Sequence, residues 1–454
     1  MGLCLSGLDA KLTSTSVEII VGEEHPYIRL ANTLDWTEMG ELVMDDLKKT
    51  TPKLLWWVGR KLKLRIHLGV YILQSFLKMT DRATEDTIKG NGIYQVFCGQ
   101  SVVEKWHCPD HTKIEKFRNR VSPQTQQCLV SYVAKVAQKM GFADASKMDV
   151  DSTVQEANMA YPSDAHLLTK LAQMSKKIID YIIENTERFS KSVGKIKIDF
   201  KTVKKKSKDY FFMAKNTSKE TKHAAFEQLY NVVKEQVNTS IEMCGSMEWE
   251  QIKNLPWNIR HTVVQIRNHA QKYLEDVAHF IKTQTMKTGK ILSFHLVDVA
   301  CITKGKVGKE KEFGRVFQLG RLGGNFFIVL PSTTVRQEDK PSLQLIVKEH
   351  EKIFGENALN SLATDKGYYW KENIKALQNK IPELAIQIPG NVKAQRTISQ
   401  ELKDRRAGIE PLIGHIKNFG LRKSKAKSDQ TTLASGYRSV LGFNLHQMVR
   451  YLSK

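Results

Sequence analysis

The order in which strand-like and helix-like patterns follow one another restricts this chain more than any other property. A strand-like stretch at 146–161, KMDVDSTVQEANMAYP, brings the β-branched Val150, Thr153 and Val154 around Asp151. A long helical block then opens at Ser163, a predicted N-cap, with Leu167, Leu168, Leu171, Ile178 and Ile182 on one face. Near its end Ile259, Val263, Ile266, Ala270, Tyr273, Val277 and Phe280 step by alternating intervals of 4 and 3. Three heptads is the lower limit for a coiled coil, so this stripe reads as the core of a helical bundle. Strand patterns return from 291 in ILSFHLVDVACI, GRVFQLG and NFFIVLP, which read as two or three antiparallel strands separated by Gly-containing turns. A helix from Pro341, the short strand ALNSLATD ending at Asp365, a helix from about Trp370, the strand ELAIQIPG and a largely helical SQELKDRRAGIEPLIGHIKNF complete the pattern. Such an order fits a mixed α/β core interrupted by an all-helical insertion.

Residues 36–130 are helical by pattern, with Leu42, Val43, Leu47, Val70, Leu73 and Phe76 at helical spacings. Within them Lys53, Arg60, Lys61, Lys63 and Arg65 are interleaved with Trp56 and Trp57, either a surface that docks on phosphates or a solvated basic face. A second basic run in the helical block places Lys201, Lys204, Lys205, Lys206 and Lys208 before Tyr210, Phe211 and Phe212, where rings could stack on bases beside lysines that grip phosphate. The whole chain carries 70 Lys+Arg against 48 Asp+Glu, a net charge of +22, which attracts polyanions, nucleic acid before acidic membrane. The most apolar stretch, Ile66 to Leu77, runs 12 residues without Asp, Glu, Lys or Arg and falls short of the ~20 residues that cross a bilayer, so no membrane role is expected. The first residues, MGLCLSGLDAKLTSTS, do not read as a signal peptide, and the six cysteines form no CxxC pair. Reduced thiols and a cytoplasmic location follow as expectations.

Three carboxylates stand where a strand ends or a helix would face the sheet: Asp151, Asp365 and Glu410. Carboxylates so placed can hold Mg²⁺, with water and phosphate oxygens completing its octahedron. Taken singly, each has a plainer reading: a turn acid, the first residue of an Asp-Lys-Gly turn, an exposed helix charge.

The segments around these acids resemble those of bacterial insertion-sequence transposases of the DDE class. DSTVQEANMAYPSDAHLL (151–168) is similar to their first catalytic segment, ATDKGYYWKEN (363–373) to the second and RAGIEPLIGHIKNFGLRKS (406–424) to the Glu segment. YQVFCGQ (94–100) and CPDHTKIEKFRNR (108–120) resemble the helical domain that precedes the catalytic core, and the basic KGKVGKEKEFG (304–314) lies between the acidic motifs. The resemblance implies a ribonuclease-H-like catalytic core in which Asp151, Asp365 and Glu410 bind two Mg²⁺ or Mn²⁺ ions. It also implies a DNA transposase that binds the terminal inverted repeats of an element, cleaves, and joins the ends to target DNA, as a homodimer or higher oligomer in a bacterial, DNA-associated setting. The family's Glu helix often reads Y-x2-R-x3-E-x6-K; Arg406, Glu410 and Lys417 fit, while Lys403 holds the tyrosine position. Arg406, Lys417, Lys304 and Lys306 are the implied phosphate contacts of the core, and Arg60, Lys61, Lys63 and Arg65 those of the N-terminal domain. Pro411 lacks an N–H, so a helix start or kink is expected beside Glu410.

The expected organisation is a helical DNA-binding domain at 1–135, the first part of the catalytic core at 136–163, a helical insertion at 164–289, and the rest of the core with C-terminal helices at 290–454. Two alternatives stay open: a catalytically inactive transposase-derived DNA-binding protein, and a metal-dependent nuclease without strand transfer. A zinc site at Cys98, His107, Cys108 and His111 is set aside because the spacing fits no common tetrahedral knuckle, with Asp110 read instead as a helix cap. Gly305, Gly308 and Lys309 do not complete a phosphate loop of the G-x4-G-K-[ST] type.

Overall fold

A computed structural model describes residues 22–50, 64–100, 108–185, 198–214, 216–287, 289–296, 299–303, 311–332, 336–390 and 398–454. Arg60, Lys61, Lys63, Lys304 and Lys306, with Trp56, Trp57 and His107, lie outside the described residues. The packing of the described residues divides the chain into two units. The first comprises the described residues of Met1–Glu156, Arg315–Ser424 and Gln430–Lys454, the second those of Ala157–Gly314 and Lys425–Asp429.

In the first unit, among the described residues, seven helices come before any strand: α1 Pro26–Thr33, α2 Trp36–Thr50, α3 Leu64–Leu77, α4 Asp81–Lys89, α5 Gly92–Phe97, α6 His111–Arg120 and α7 Pro123–Lys139. Their starts are written locally. Thr80, Asn91, Asp110 and Ser122 each accept backbone N–H bonds from the first turn that follows, and Pro123 sits at the first position of α7. Asp110 is thus the cap its position predicts, while His111 donates its backbone N–H and turns its ring to Glu85. The apolar α3, with Leu68, Ile72 and Leu73 fully buried, runs through the middle of this group.

The strands follow, β2 and the first residues of β3 belonging to the second unit: β1 Asp144–Glu156, β2 Ala300–Thr303, β3 Lys311–Gly323, β4 Phe327–Val329, β5 Ser361–Thr364 and β6 Glu383–Ile386. They form one sheet in the order β2-β3-β1-β5-β6, with β4 also on β3. β2 and β4 pair antiparallel with β3, whereas β1, β5 and β6 run parallel. Parallel neighbours need crossovers, and helices supply them: α13 Asp339–Phe354 before β5 and α14 Lys371–Leu377 before β6. The chain ends in α15 Gln400–Ala407, α16 Ile409–Ile416 and α17 Asp429–Leu452. Leu30, Leu73, Val130, Phe317, Leu362, Ile413 and Tyr437 belong to one continuous core, so the N-terminal helices and the sheet share a single interior.

The second unit is helical: α8 Asp164–Asn185, α9 Phe200–Phe211, α10 Lys219–Ser246, α11 Trp249–Asn254 and α12 Trp257–Thr283. Ser163 caps α8 through its Oγ, 3.4 Å from the His166 N–H. The 4,3 stripe is core here: Ile259, Val263, Ile266, Ala270, Tyr273 and Val277 are buried and Phe280 partly so. One expectation needs correction. Only the end of ILSFHLVDVACI is strand, because Ile291 and Phe294 turn into the helical core and Phe294 meets Tyr273 edge to face at 5.2 Å. The described cysteines are free thiols, and no helix among the described residues is long and apolar enough to cross a membrane.

Candidate active site

Parallel pairing of β1 with β5 sets Val150 opposite Thr364. One residue further along each strand's direction come Asp151 and Asp365, so the register brings two acids 214 positions apart in sequence side by side at the end of the β1–β5 pairing. The Asp151 Oδ1 accepts the Ser152 N–H at 2.7 Å, and the Asp365 Oδ1 accepts the Gly367 N–H at 2.9 Å in the short helical turn Lys366–Tyr368. Both carboxylates turn their other oxygen to one guanidinium. Arg406 Nη2 lies 3.3 Å from Asp151 Oδ2 and 3.8 Å from Asp365 Oδ2, while its Nη1 donates to Glu410 Oε1 at 3.0 Å. Three carboxylates from three separated segments therefore meet on a single cation whose side chain is only 14% exposed.

One positive charge does not offset three negative ones. Burial pushes the Asp151 carboxyl up to about 6, with Asp365 and Glu410 adding to the shift against the Ser152 N–H and Arg406. Asp365 is also raised, by burial first and then by the nearby Asp339.

The helix that carries Arg406 is held by its neighbour. Arg405 donates from Nε to Asp149 Oδ1 at 2.8 Å and from Nη1 to Ser361 Oγ at 2.8 Å, fastening α15 to β1 and β5. Arg321 of β3 approaches Asp149 from the other side, its Nε 3.0 Å from Oδ2, and also donates to the Arg405 carbonyl. Asp149 is 3% exposed and carries two guanidinium partners. Sequence reasoning passed over it, although Asp149 and Asp151 share a strand face by the two-residue period, a signal that could have found it. Buried Tyr368 donates to Gln318 Oε1 at 2.5 Å, and Gln318 Nε2 donates to Asp339 at 2.8 Å, a chain that fixes the turn after Asp365.

Glu410 stands in the first turn of α16, one residue before Pro411, where a missing N–H leaves no hydrogen bond unmade. The expected helix start is present, at Gly408, and the Arg406 to Glu410 pair spans it. Beyond α16 the wide turn Lys417–Leu421 needs its glycine: Gly420 has φ +118°, and an added Cβ would lie 3.0 Å from Ser439 Oγ. Gln155 donates to the Gly420 carbonyl at 3.0 Å, and Glu156 exchanges backbone bonds with Arg422 and Ser424, so the end of the Glu segment is stitched to the end of β1.

The structure thus gathers Asp151, Asp365, Glu410 and Arg406. Lys417 follows Glu410 by two helical turns at the end of α16 and is half-buried. Lys403 is exposed on α15. Arg65 is elsewhere and faces inward: its guanidinium lies 3.4 Å from the centre of the Trp36 ring, Nη2 donates to the Phe97 carbonyl at 2.7 Å, and burial lowers its pKa to about 10. Its place in the fold is to hold helices together, not to meet phosphate. As a donor set, the three carboxylates suit a hard cation such as Mg²⁺, and they already surround one positive charge. They stand around the guanidinium, and among the described residues no three His, Cys, Asp or Glu side chains are drawn close enough to hold an ion between them.

Residues 15–120 match the family model described as Transposase domain (DUF772), which supports a transposase. A curated protein of Rhizobium meliloti, "Uncharacterized protein ORF8 in nfe locus", is 24% identical over 162 residues, covering 35% of this chain and 74% of that protein. No solved structure gives a significant match.

Proposed function

We propose that this chain is a DNA transposase of the DDE class, with a ribonuclease-H-like core, that binds the ends of a mobile element, cleaves them and transfers them to target DNA. The observation that carries the reading is the convergence of Asp151, Asp365 and Glu410 on Arg406. The mixed sheet with a helical unit inserted after its first strand, the net charge of +22 and the transposase-domain match support it. Asp151, Asp365 and Glu410 would hold Mg²⁺ or Mn²⁺, and the chemistry such ions supply is activation of a water or a DNA 3′-hydroxyl and stabilisation of the leaving oxygen in an in-line displacement at phosphorus. The chain's own part is to assemble and orient. The β1–β5 register sets the two aspartates side by side, the Arg405–Asp149–Arg321 network holds the helix that carries Arg406 against them, and Arg406 offers two N–H groups that suit a phosphate as well as a carboxylate. No covalent nucleophile on the protein is needed. We assign the active form as a dimer or larger assembly on DNA, because two ends must be joined.

The test uses a supercoiled plasmid bearing the inverted repeats recovered from DNA flanking the coding region. Wild-type protein with Mg²⁺ or Mn²⁺ is expected to cut at the repeats and join them to a second DNA. Asp151→Asn, Asp365→Asn and Glu410→Gln should each lower cleavage by roughly 10³-fold or more, with losses that do not add when combined. Near wild-type cutting by any folded variant removes that residue from the site. Cutting without joining would leave a nuclease, and binding without cutting an inactive DNA-binding descendant.

A further inference from the structure

The helical unit carries a feature that the acidic site does not use. Two open clefts of about 720 and 410 Å³ adjoin along α8. The larger is lined by Lys170, Gln173 and Lys177 of α8, Phe200 of α9, and Trp257 and His261 of α12. The smaller takes His166 and Thr169 of α8 with Lys204, Lys208, Phe211 and Phe212 around α9. They abut on both helices, Thr169 beside Lys170 and Phe200 one turn from Lys204. On α8 the shared stripe is His166, Thr169, Lys170, Gln173 and Lys177, the helical spacing of one face. Its length is about 16 Å at 1.5 Å per residue.

The chemistry along this track has one sign. The smaller cleft contains no acid, and the single acid of the larger, Asp180, is paired with Lys176 at 2.5 Å. Among the described residues Lys170, Lys204 and Lys208 make no ion pair. Largely exposed aromatic rings stand at both ends. Trp257 is 70% exposed and stacks on His261 at 5.7 Å with 24° between planes; Phe212 is 84% exposed, and neighbouring Phe211 lies 4.3 Å from His166. A duplex offers phosphates to the lysines but keeps its bases stacked away from the rings. An unpaired strand offers both.

We infer that the α8 face of the helical unit is a track for a short unpaired segment of DNA strand, about five nucleotides at the ~3.4 Å stacked spacing. Its phosphates meet Lys170, Lys204 and Lys208, and its bases stack on Trp257 and Phe212. The inference rests on the reading that DNA is the substrate.

The test is a binding titration of the full chain, without divalent metal, against a fluorescein-labelled dT12 strand and a 12-base-pair duplex. The single strand should bind more tightly than the duplex, quench Trp fluorescence, and lose affinity with rising salt. Trp257→Ala and Phe212→Ala should each weaken dT12 binding roughly 5- to 100-fold, and the Lys170→Gln, Lys204→Gln, Lys208→Gln triple variant should reduce its salt slope, with duplex binding little changed. All five sites are exposed, so circular dichroism should match wild type. Equal affinity for strand and duplex, or dT12 binding within twofold of wild type in the folded Trp257→Ala protein, overturns the track. Metal-dependent cleavage lost in the acid variants, alongside absent strand binding, would sink this inference and leave the proposed activity standing; strand binding without any cleavage would do the reverse.

Discussion

His67 shows how single residues set the pH range of this protein. Its ring lies against Phe117, centroids 5.3 Å apart and planes 23° apart, and burial pushes the imidazole down to about 4, helped by Lys113 and Arg120. In the unfolded chain the same group titrates near ~6.5. The native state therefore binds fewer protons through that interval, and stability falls as pH drops from about 6.5 to 4, by roughly 3 kcal/mol at most. Above about 6.5 the contribution is complete. His67→Phe keeps an aromatic ring against Phe117 and removes the proton, so its melting temperature should change less between pH 7 and pH 4.5 than that of wild type. Identical acid limbs in the two proteins would show that His67 does not set the response. At this scale the sequence was readable where residues act locally, as in the Asp110 cap, and misleading where they act at a distance. Arg65 looked like one more cation in a basic run, yet Trp36 and Phe97, far from it in sequence, determine where its guanidinium goes.

Between elements, a buried ionic network holds α15 to the sheet. Asp149, buried on β1, is shared by Arg321 of β3 and Arg405 of α15, residues 172 and 256 positions away. Removing a shared buried partner strands the charges that remain, and that costs more than the pair itself contributes. Asp149→Ala should destabilise the protein by about 3–5 kcal/mol, read as a lower urea midpoint at unchanged slope. A loss below about 1 kcal/mol would mean that water or a rearranged acid replaces Asp149. Gly420→Ala tests the opposite end of the Glu segment. With φ at +118° and Ser439 Oγ in the way, the added methyl should cost about 1–3 kcal/mol, and a neutral result would show that the turn can relax. The alternation of β-branched runs with 3.6-period stretches made most of these elements legible, since it reports which faces are buried. Residues 291–296 misled because Ile291 and Phe294 are as apolar and bulky as strand residues but pack singly into a helical groove. The three acids were legible through the segments around them. Their meeting on Arg406, and the Asp149 network behind it, come from sheet register and long-range pairing, which one sequence does not display.

Across the whole molecule the buried residues separate into two interiors. One runs from Leu30 through the sheet to Leu452; the other, from Ala165 to Phe294, is built only from the helical unit and the residues that close it. Within the second, Val237, Val263, Ile266 and Tyr273 are fully buried, and Ser240 donates to Ser175 at 2.7 Å inside the core. Its two ends are tied to each other. Lys290 Nζ lies 2.5 Å from Asp164 Oδ2 with both side chains largely covered, Tyr273 donates to the Asp164 carbonyl at 3.0 Å, and β2 pairs with the first residues of β3. A segment with its own core, closed by contacts between its own ends, has what an independent domain requires. The polypeptide 157–314, expressed alone, should therefore be helical by circular dichroism and unfold in one cooperative urea transition, with a slope in the range of about 1–3 kcal/mol/M expected for a chain of modest size. Lys290→Met should lower its midpoint, because Asp164 would lose its charged partner. Helical signal that melts without cooperativity would mean that this interior is completed by the rest of the chain, and that the insertion folds only as part of the whole.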